Sequence, residues 1–238
     1  MRTLPALLLL ALLVPAPARA EESPQTMAME FRVGMYAPEV DSEFAGDVHP
    51  FRDAFGKDDT FTWGGEYDVQ FWHGFGSLCA FGAVSWGRMS GKGLLTDGSQ
   101  SSDETTMTLL PFVVGAVYRF DVLATRFNVP FVLALKGGLD YTVWTIDDGV
   151  GDTSEYETTD KETVKGEGGT WGLYGAVSLH LLLDFFEPHA AKVFDNDLGV
   201  NNSYLFAEYA WWVVDDFGSS SSFNLSDSGL VFGLAFEM

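Results

Sequence analysis

The chain has 238 residues, 47% of them hydrophobic and 15% aromatic, with a formal net charge of −21. A chain this acidic repels phosphate backbones, which argues against nucleic acid as a partner. The single cysteine, Cys79, allows no internal disulfide, and the aromatic content argues against disorder.

Residues 1–20 read as a cleaved signal peptide: Arg2, an apolar run from Leu7 to Val14, then Ala18-Arg19-Ala20 as a small-residue cleavage site. The mature domain then spans 21–238. It has no run of about 18 apolar residues and so no transmembrane helix, which leaves a barrel as the only way across a membrane.

The first strand is expected at Met27–Tyr36, with Met29, Phe31, Val33 and Met35 on one face and Glu30 and Arg32 on the other. A polar, acidic stretch follows to Thr60. The second strand, Phe61–Trp72, sets Trp63, Tyr67 and Phe71 against Glu66 and Asp68, and His73-Gly74-Phe75-Gly76 makes a tight turn. The third, Ser77–Met89, sets Leu78, Val84 and Trp86 against Cys79 and Ser85. Residues 91–104 read as a loop.

The fourth strand, Thr105–Phe120, puts Phe112, Val114, Tyr118 and Phe120 opposite Gly115 and Arg119, with Pro111 as an interruption. The fifth, Val129–Ile146, puts Leu133, Leu135, Leu139 and Tyr141 opposite Lys136 and Asp140. Residues 147–169 form an acidic loop. The sixth strand, Thr170–Phe186, carries Trp171, Val177 and Leu179 against Ser178, His180 and Asp184, and a short helix follows at Glu187–Asp197. The seventh, Ser203–Val214, sets Trp211 against Glu208. The eighth, Asp227–Met238, alternates Leu230, Phe232, Leu234 and Phe236 with small residues, as closing strands of outer-membrane barrels do.

Eight strands joined by alternately long and short connections form an antiparallel up-and-down barrel. Three features favour a transmembrane barrel over a lipocalin-like ligand-binding barrel, whose apolar face points inward. The opposite face is rich in Gly and Ala, which suit a narrow interior. Its charges are placed to pair: Arg32, Arg119 and Lys136 with acids among Glu30, Glu66, Asp68, Asp140, Asp184 and Glu208, an expected lumen network. The aromatic residues sort by height. Trp63, Trp86, Tyr141, Trp171 and Trp211 fall near the long-loop end, and Tyr118, Phe120 and Phe236 near the other, as two interface belts.

Several motifs carry a resemblance: Tyr36-Ala37-Pro38 with Asp41, Tyr118-Arg119-Phe120-Asp121, Lys136-Gly137-Gly138-Leu139-Asp140-Tyr141 with Trp144, Gly168-Gly169-Thr170-Trp171-Gly172, and Leu205-Phe206-Ala207-Glu208. With these the chain resembles a family of small outer-membrane β-barrels best known from myxobacteria. It departs from that family at Leu133-Ala134-Leu135, where the family carries a Pro-aromatic pair. The resemblance implies a fold and a location, but no activity.

No catalytic, metal or cofactor motif stands out. Ser178, His180 and Asp184 share a face, but successive residues on one face of a strand lie about 7 Å apart, which speaks against a working dyad. His49, His73 and His189 are scattered. The expected role is structural or surface-interacting without enzymatic activity, the alternatives being a narrow channel or small-solute transport barrel and the soluble binder. Outer-membrane lipids are the expected partners, with divalent cations and lipopolysaccharide at the acidic loops. Nothing in the chain specifies an oligomeric state.

Overall fold

Alternating large and small side chains can close a sheet only if every strand finds two neighbours, and this chain achieves that. The computed structural model describes residues 25–56, 59–94, 99–157, 163–219 and 222–238. The expected signal peptide, 1–20, lies outside the described residues. Eight strands form a closed barrel: β1 (Met27–Tyr36), β2 (Thr60–Gly74), β3 (Gly76–Leu94), β4 (Gln100–Phe120), β5 (Phe131–Asp147), β8 (Glu167–Leu182), β9 (Asn202–Val213) and β10 (Asp227–Glu237). Two short strands, β6 (Glu155–Glu157) and β7 (Thr163–Lys165), make a separate hairpin within the loop between β5 and β8. Each barrel strand pairs antiparallel with its chain neighbours, and β1 with β10 completes the circle, so the barrel has no free edge.

The two faces are sorted with little exception. Along β1, Phe31 is 61% exposed while Glu30 beside it is 2% exposed. Val114, Leu135, Leu179, Leu205 and Phe232 are likewise exposed, whereas Arg119, Lys136, Asp140 and Glu208 are buried. An apolar surface wrapped around a charged interior has a favourable solvent only in lipid. The inward-apolar, lipocalin-like alternative is therefore overturned by the orientation of the strands. This is an outer-membrane type of barrel.

Side chains fill the interior, as expected of eight strands. Phe81, Tyr174, Phe206, Val117 and Val231 meet at its centre. Their bulk requires small partners: a Cβ on Gly233 would sit 1.9 Å from the Phe31 carbonyl oxygen and 2.7 Å from the Phe206 ring. Gly76 has a different reason to be glycine. It turns β2 into β3 with φ of 104°, in the left-handed region that side chains disfavour.

The connections differ most from the sequence reading. Residues 91–94 and 100–104 are strand, because β3 and β4 continue pairing beyond the expected ends, with Gly91 opposite Thr105 and Lys92 opposite Glu104. The loop after β1 contains a 3₁₀ turn, η1 (Val40–Glu43), and a helix, α1 (Pro50–Phe55). The Asp41 carboxylate ties the two together by accepting the Phe51 and Arg52 amides at 2.8 and 2.9 Å. α1 lies against β3 so closely that a Cβ on Gly91 would meet the Ala54 carbonyl oxygen at 1.9 Å. At the other end, a short helix α2 (Val122–Phe127) joins β4 to β5, and α3 (Pro188–Leu198) occupies the expected helical segment. β8 ends at Leu182, and the Phe186 amide folds back onto the Leu183 carbonyl in a turn, four residues earlier than the sequence reading placed the end of that strand.

Candidate functional site

The lumen carries the densest chemistry of the chain. Lys136 on β5 reaches three carboxylates, Glu30 at 2.7 Å, Glu66 at 2.5 Å and Glu208 at 3.2 Å. Arg32 on β1 donates to Glu66 and Glu208, and also to the Tyr174 hydroxyl at 2.7 Å. Arg119 on β4 donates to Asp68 and, at 3.2 Å, to Glu30. It also reaches Glu237 at 3.1 Å, nearer the short-turn end. Seven of the eight barrel strands thus contribute to one network. Opposite charges at these distances offset the cost of removing each ion from water, which one unpaired ion would not survive.

Two expected members stand apart. Asp140 is buried but meets no cation. One of its carboxylate oxygens accepts the Thr142 hydroxyl at 2.7 Å, and the other has no partner among the described residues. Asp184 leaves the lumen altogether, because β8 has ended two residues before it. Its carboxylate instead accepts the Ser203 amide at 3.2 Å in the turn, and partial burial raises its pKa above the usual carboxylate range. Glu30, Arg32, Glu66, Asp68, Arg119, Lys136 and Glu208 lie together in the lumen. Glu237 and Tyr174 belong to the network but escaped sequence reasoning. Glu237 sits at the end of a strand, where alternation says least about neighbours. Tyr174 had no charge to mark it.

Ser178 and His180 are closer than strand spacing suggested, with Oγ and Nε2 3.0 Å apart. The imidazole turns along the strand, stacks on Phe206 and meets Tyr204 edge-on. Both residues are buried, and Asp184 does not join them. The His180 Nδ1 has no partner among the described residues, so no acid orients the imidazole and the pair stands as a buried core contact. Carboxylate oxygens of Glu30, Glu66 and Asp68 lie within 4.8 Å of one another, a spacing a metal ion could use. Each already faces a guanidinium or ammonium group, so the network's own cations occupy that role.

The belt aromatics project outward in contacting pairs. Trp63 and Trp86 are paired across β2 and β3 with ring centroids 6.1 Å apart. Tyr141 and Trp171 are paired across β5 and β8 at 4.6 Å, and Trp211 meets Tyr209 at 4.8 Å. At the opposite end Phe120 packs on Phe75 at 5.1 Å, and the Tyr118 hydroxyl donates to the Phe75 carbonyl. Phe236 lies on β10 opposite Met29 and Ser203.

The long-loop end is closed by a second apolar cluster, Tyr36, Val40, Met107, Leu109, Val214 and Leu225, which caps the lumen. The acidic loop after β5 is organised around Asp148. Its Oδ1 accepts the Val150, Gly151 and Asp152 amides at 2.9, 3.0 and 3.1 Å. Those amides, Val150 first, hold the carboxyl below the usual range.

No protein-family model matches this chain, and no curated protein does. Solved structures do. OprG, an outer-membrane protein of Pseudomonas aeruginosa, aligns at 9% identity over 91% of this chain and 97% of its own, with a TM-score of 0.49. Neisserial surface protein A aligns at 12% identity over 92% and 100%, with a TM-score of 0.45. Ail, the attachment invasion locus protein of Yersinia pestis, in complex with the heparin analogue sucrose octasulfate, aligns at 10% identity over 91% and 99%, with a TM-score of 0.44. The reading of this barrel rests on its own two faces rather than on these likenesses.

Proposed function

We propose that the protein is a non-enzymatic outer-membrane barrel that presents a folded, acidic loop surface outside the cell and conducts nothing through its lumen. The observation that carries this reading is the ion network. Glu30, Arg32, Glu66, Lys136 and Glu208 bridge the barrel wall to wall, and Phe81, Phe206 and the loop-end cluster fill the space on either side. A conducting pore needs continuous water, and these groups stand where it would run.

The acids outside the lumen concentrate on the long connections, among them Asp47, Asp53, Asp148, Asp152 and Asp215. Divalent cations bridging these carboxylates to lipopolysaccharide would anchor the loop surface to its membrane. Kinship with the myxobacterial barrel family is a further part of the proposal. Its support is that Arg119, Lys136 and Glu208, from three of the motifs that carry the resemblance, meet in one network.

Planar-bilayer recording of the refolded protein tests the closed lumen. Insertion without steady single-channel openings is the expected result, and regular unitary steps would replace the proposal with a channel.

A further inference from the structure

The connection from β8 to β9 is longer than the sheet requires. The two strands pair side by side, about 4.8 Å apart, so a tight turn would join them. The chain instead runs from Leu183 through Phe185, Phe186 and α3 to Asn201. α3 has 11 residues, about 16 Å of helix, and none of them is buried. A helix this short is marginal in water unless one face is packed. α3 lies against β9, but only Ala191 and Asp195, one turn apart, are half-buried, and the rest of its surface is exposed.

That exposed surface has two sides. Ala190, Phe194 and Leu198 recur at a spacing of four along one of them, with Leu198 67% exposed. His189, Lys192 and Asn196 lie on the other. The apolar side continues a surface already assigned to lipid. Leu179 on β8 faces outward, and beyond the end of that strand Phe185 and Phe186 remain exposed. The neighbouring connection behaves alike, since Leu123 and Phe127, one turn apart on α2, are exposed too. Two backbone bonds set both connections at one height. The Leu182 amide donates to the Pro130 carbonyl at 2.8 Å, and the Leu183 amide to the Ser203 carbonyl at 2.9 Å.

We infer that α2 and α3 form a collar that rests on the periplasmic leaflet of the outer membrane, with Phe127, Phe194 and Leu198 entering the boundary between headgroups and acyl chains. An arc of apolar groups at one height, continuous with the lipid-facing wall, matches a flat lipid surface. Charge does not drive the docking: Glu187, Asp195 and Asp197 outnumber Lys192 on this segment, so apolar burial alone carries it and a neutral phospholipid suffices. A collar on the β4–β5 and β8–β9 side fixes the depth and tilt at which the barrel sits. The inference rests on the membrane reading of the barrel wall and goes beyond it to the periplasmic end.

The test uses the refolded full chain carrying Cys79→Ala, in nanodiscs of phosphatidylcholine. Phe127→Cys, Phe194→Cys, Leu198→Cys, Lys192→Cys and Asn196→Cys each take a nitroxide label, with Leu135→Cys on the barrel wall as the reference. Heat-dependent gel migration verifies that each variant has folded. Oxygen, which concentrates in hydrocarbon, should relax the labels at Phe127, Phe194, Leu198 and Leu135 more than a water-soluble nickel chelate does. The order should reverse at Lys192 and Asn196. A water reading at Phe194 and Leu198, with Leu135 still in lipid, would overturn the collar and leave the barrel reading intact. A water reading at Leu135 would remove the barrel reading itself. Labels at Phe194 and Leu198 reached by neither reagent would overturn the collar in favour of contact with a second copy of the chain. Phe194→Asp/Leu198→Asp should speed amide exchange through α3 by about tenfold or more and leave β8 and β9 protected, since each apolar side chain drawn out of lipid forfeits about a decade. Unchanged exchange through α3 would likewise overturn the collar.

Discussion

Replacing Lys136 by Met keeps much of the side chain's length and removes one charge from the centre of the lumen. The ammonium contacts Glu30, Glu66 and Glu208 at 2.7, 2.5 and 3.2 Å and is fully buried. Its loss leaves five carboxylates, Glu30, Glu66, Asp68, Glu208 and Glu237, facing the two guanidinium groups of Arg32 and Arg119. Breaking a buried ion pair from one side costs about 3–5 kcal/mol, because the remaining charge stays out of water. Lys136→Met should therefore lose roughly that much folding stability in reversible denaturant titrations followed by tryptophan fluorescence in detergent. Adding Glu66→Gln restores the balance by removing one carboxylate and should recover at least ~1 kcal/mol, a coupling of the size expected for direct partners. A loss under ~1 kcal/mol for Lys136→Met, or no recovery in the double variant, would refute the claim that these groups share one desolvated network.

Leu179 faces lipid, so Leu179→Arg should cost about 2–4 kcal/mol of refolding stability, while Val150→Arg, at an 89% exposed loop position, should cost almost nothing. Gly115→Ala would place a Cβ 2.2 Å from the Gly137 carbonyl oxygen and should destabilise by about 1–3 kcal/mol, whereas the outward Gly82→Ala, with open space around it, should be neutral in the same titration. The lowered carboxyl of Asp148 gives a pH dependence of definite sign. Its hydrogen bonds stay intact above the ordinary carboxylate range and are lost as pH falls through the depressed value, so the Val150, Gly151 and Asp152 amides should lose exchange protection only in strong acid. Trypsin added to intact cells should cut at Lys165 on β7 and spare Lys192 on α3; cleavage only at Lys192 would mean that the barrel is inverted.

The strands were legible because lipid on one side and a filled lumen on the other impose a period of two over their whole length. β1 and β10 match their sequence bounds to within a residue. Within the network, charge marked Arg32, Arg119 and Lys136 and the acids that surround them. Position along the barrel axis was less legible, since it depends on stagger between strands, and that is why Asp140 fell out of reach of any cation. Asp184 failed for another reason: alternation persists through Leu183 and Phe185 after the ladder has ended. The continued β3–β4 pairing was hidden because Gly91, Gly93 and Ser101 carry turn chemistry even where the hairpin runs on. The approach of α1 to β3 was invisible in the sequence because it is made only through the folded loop.

Membrane fractionation bears most directly on the account, since every part of it depends on the apolar face meeting lipid. The protein should sediment with the outer membrane, resist alkaline carbonate washing and enter solution only with detergent. Recovery in the soluble periplasmic fraction without detergent would contradict the account at its base.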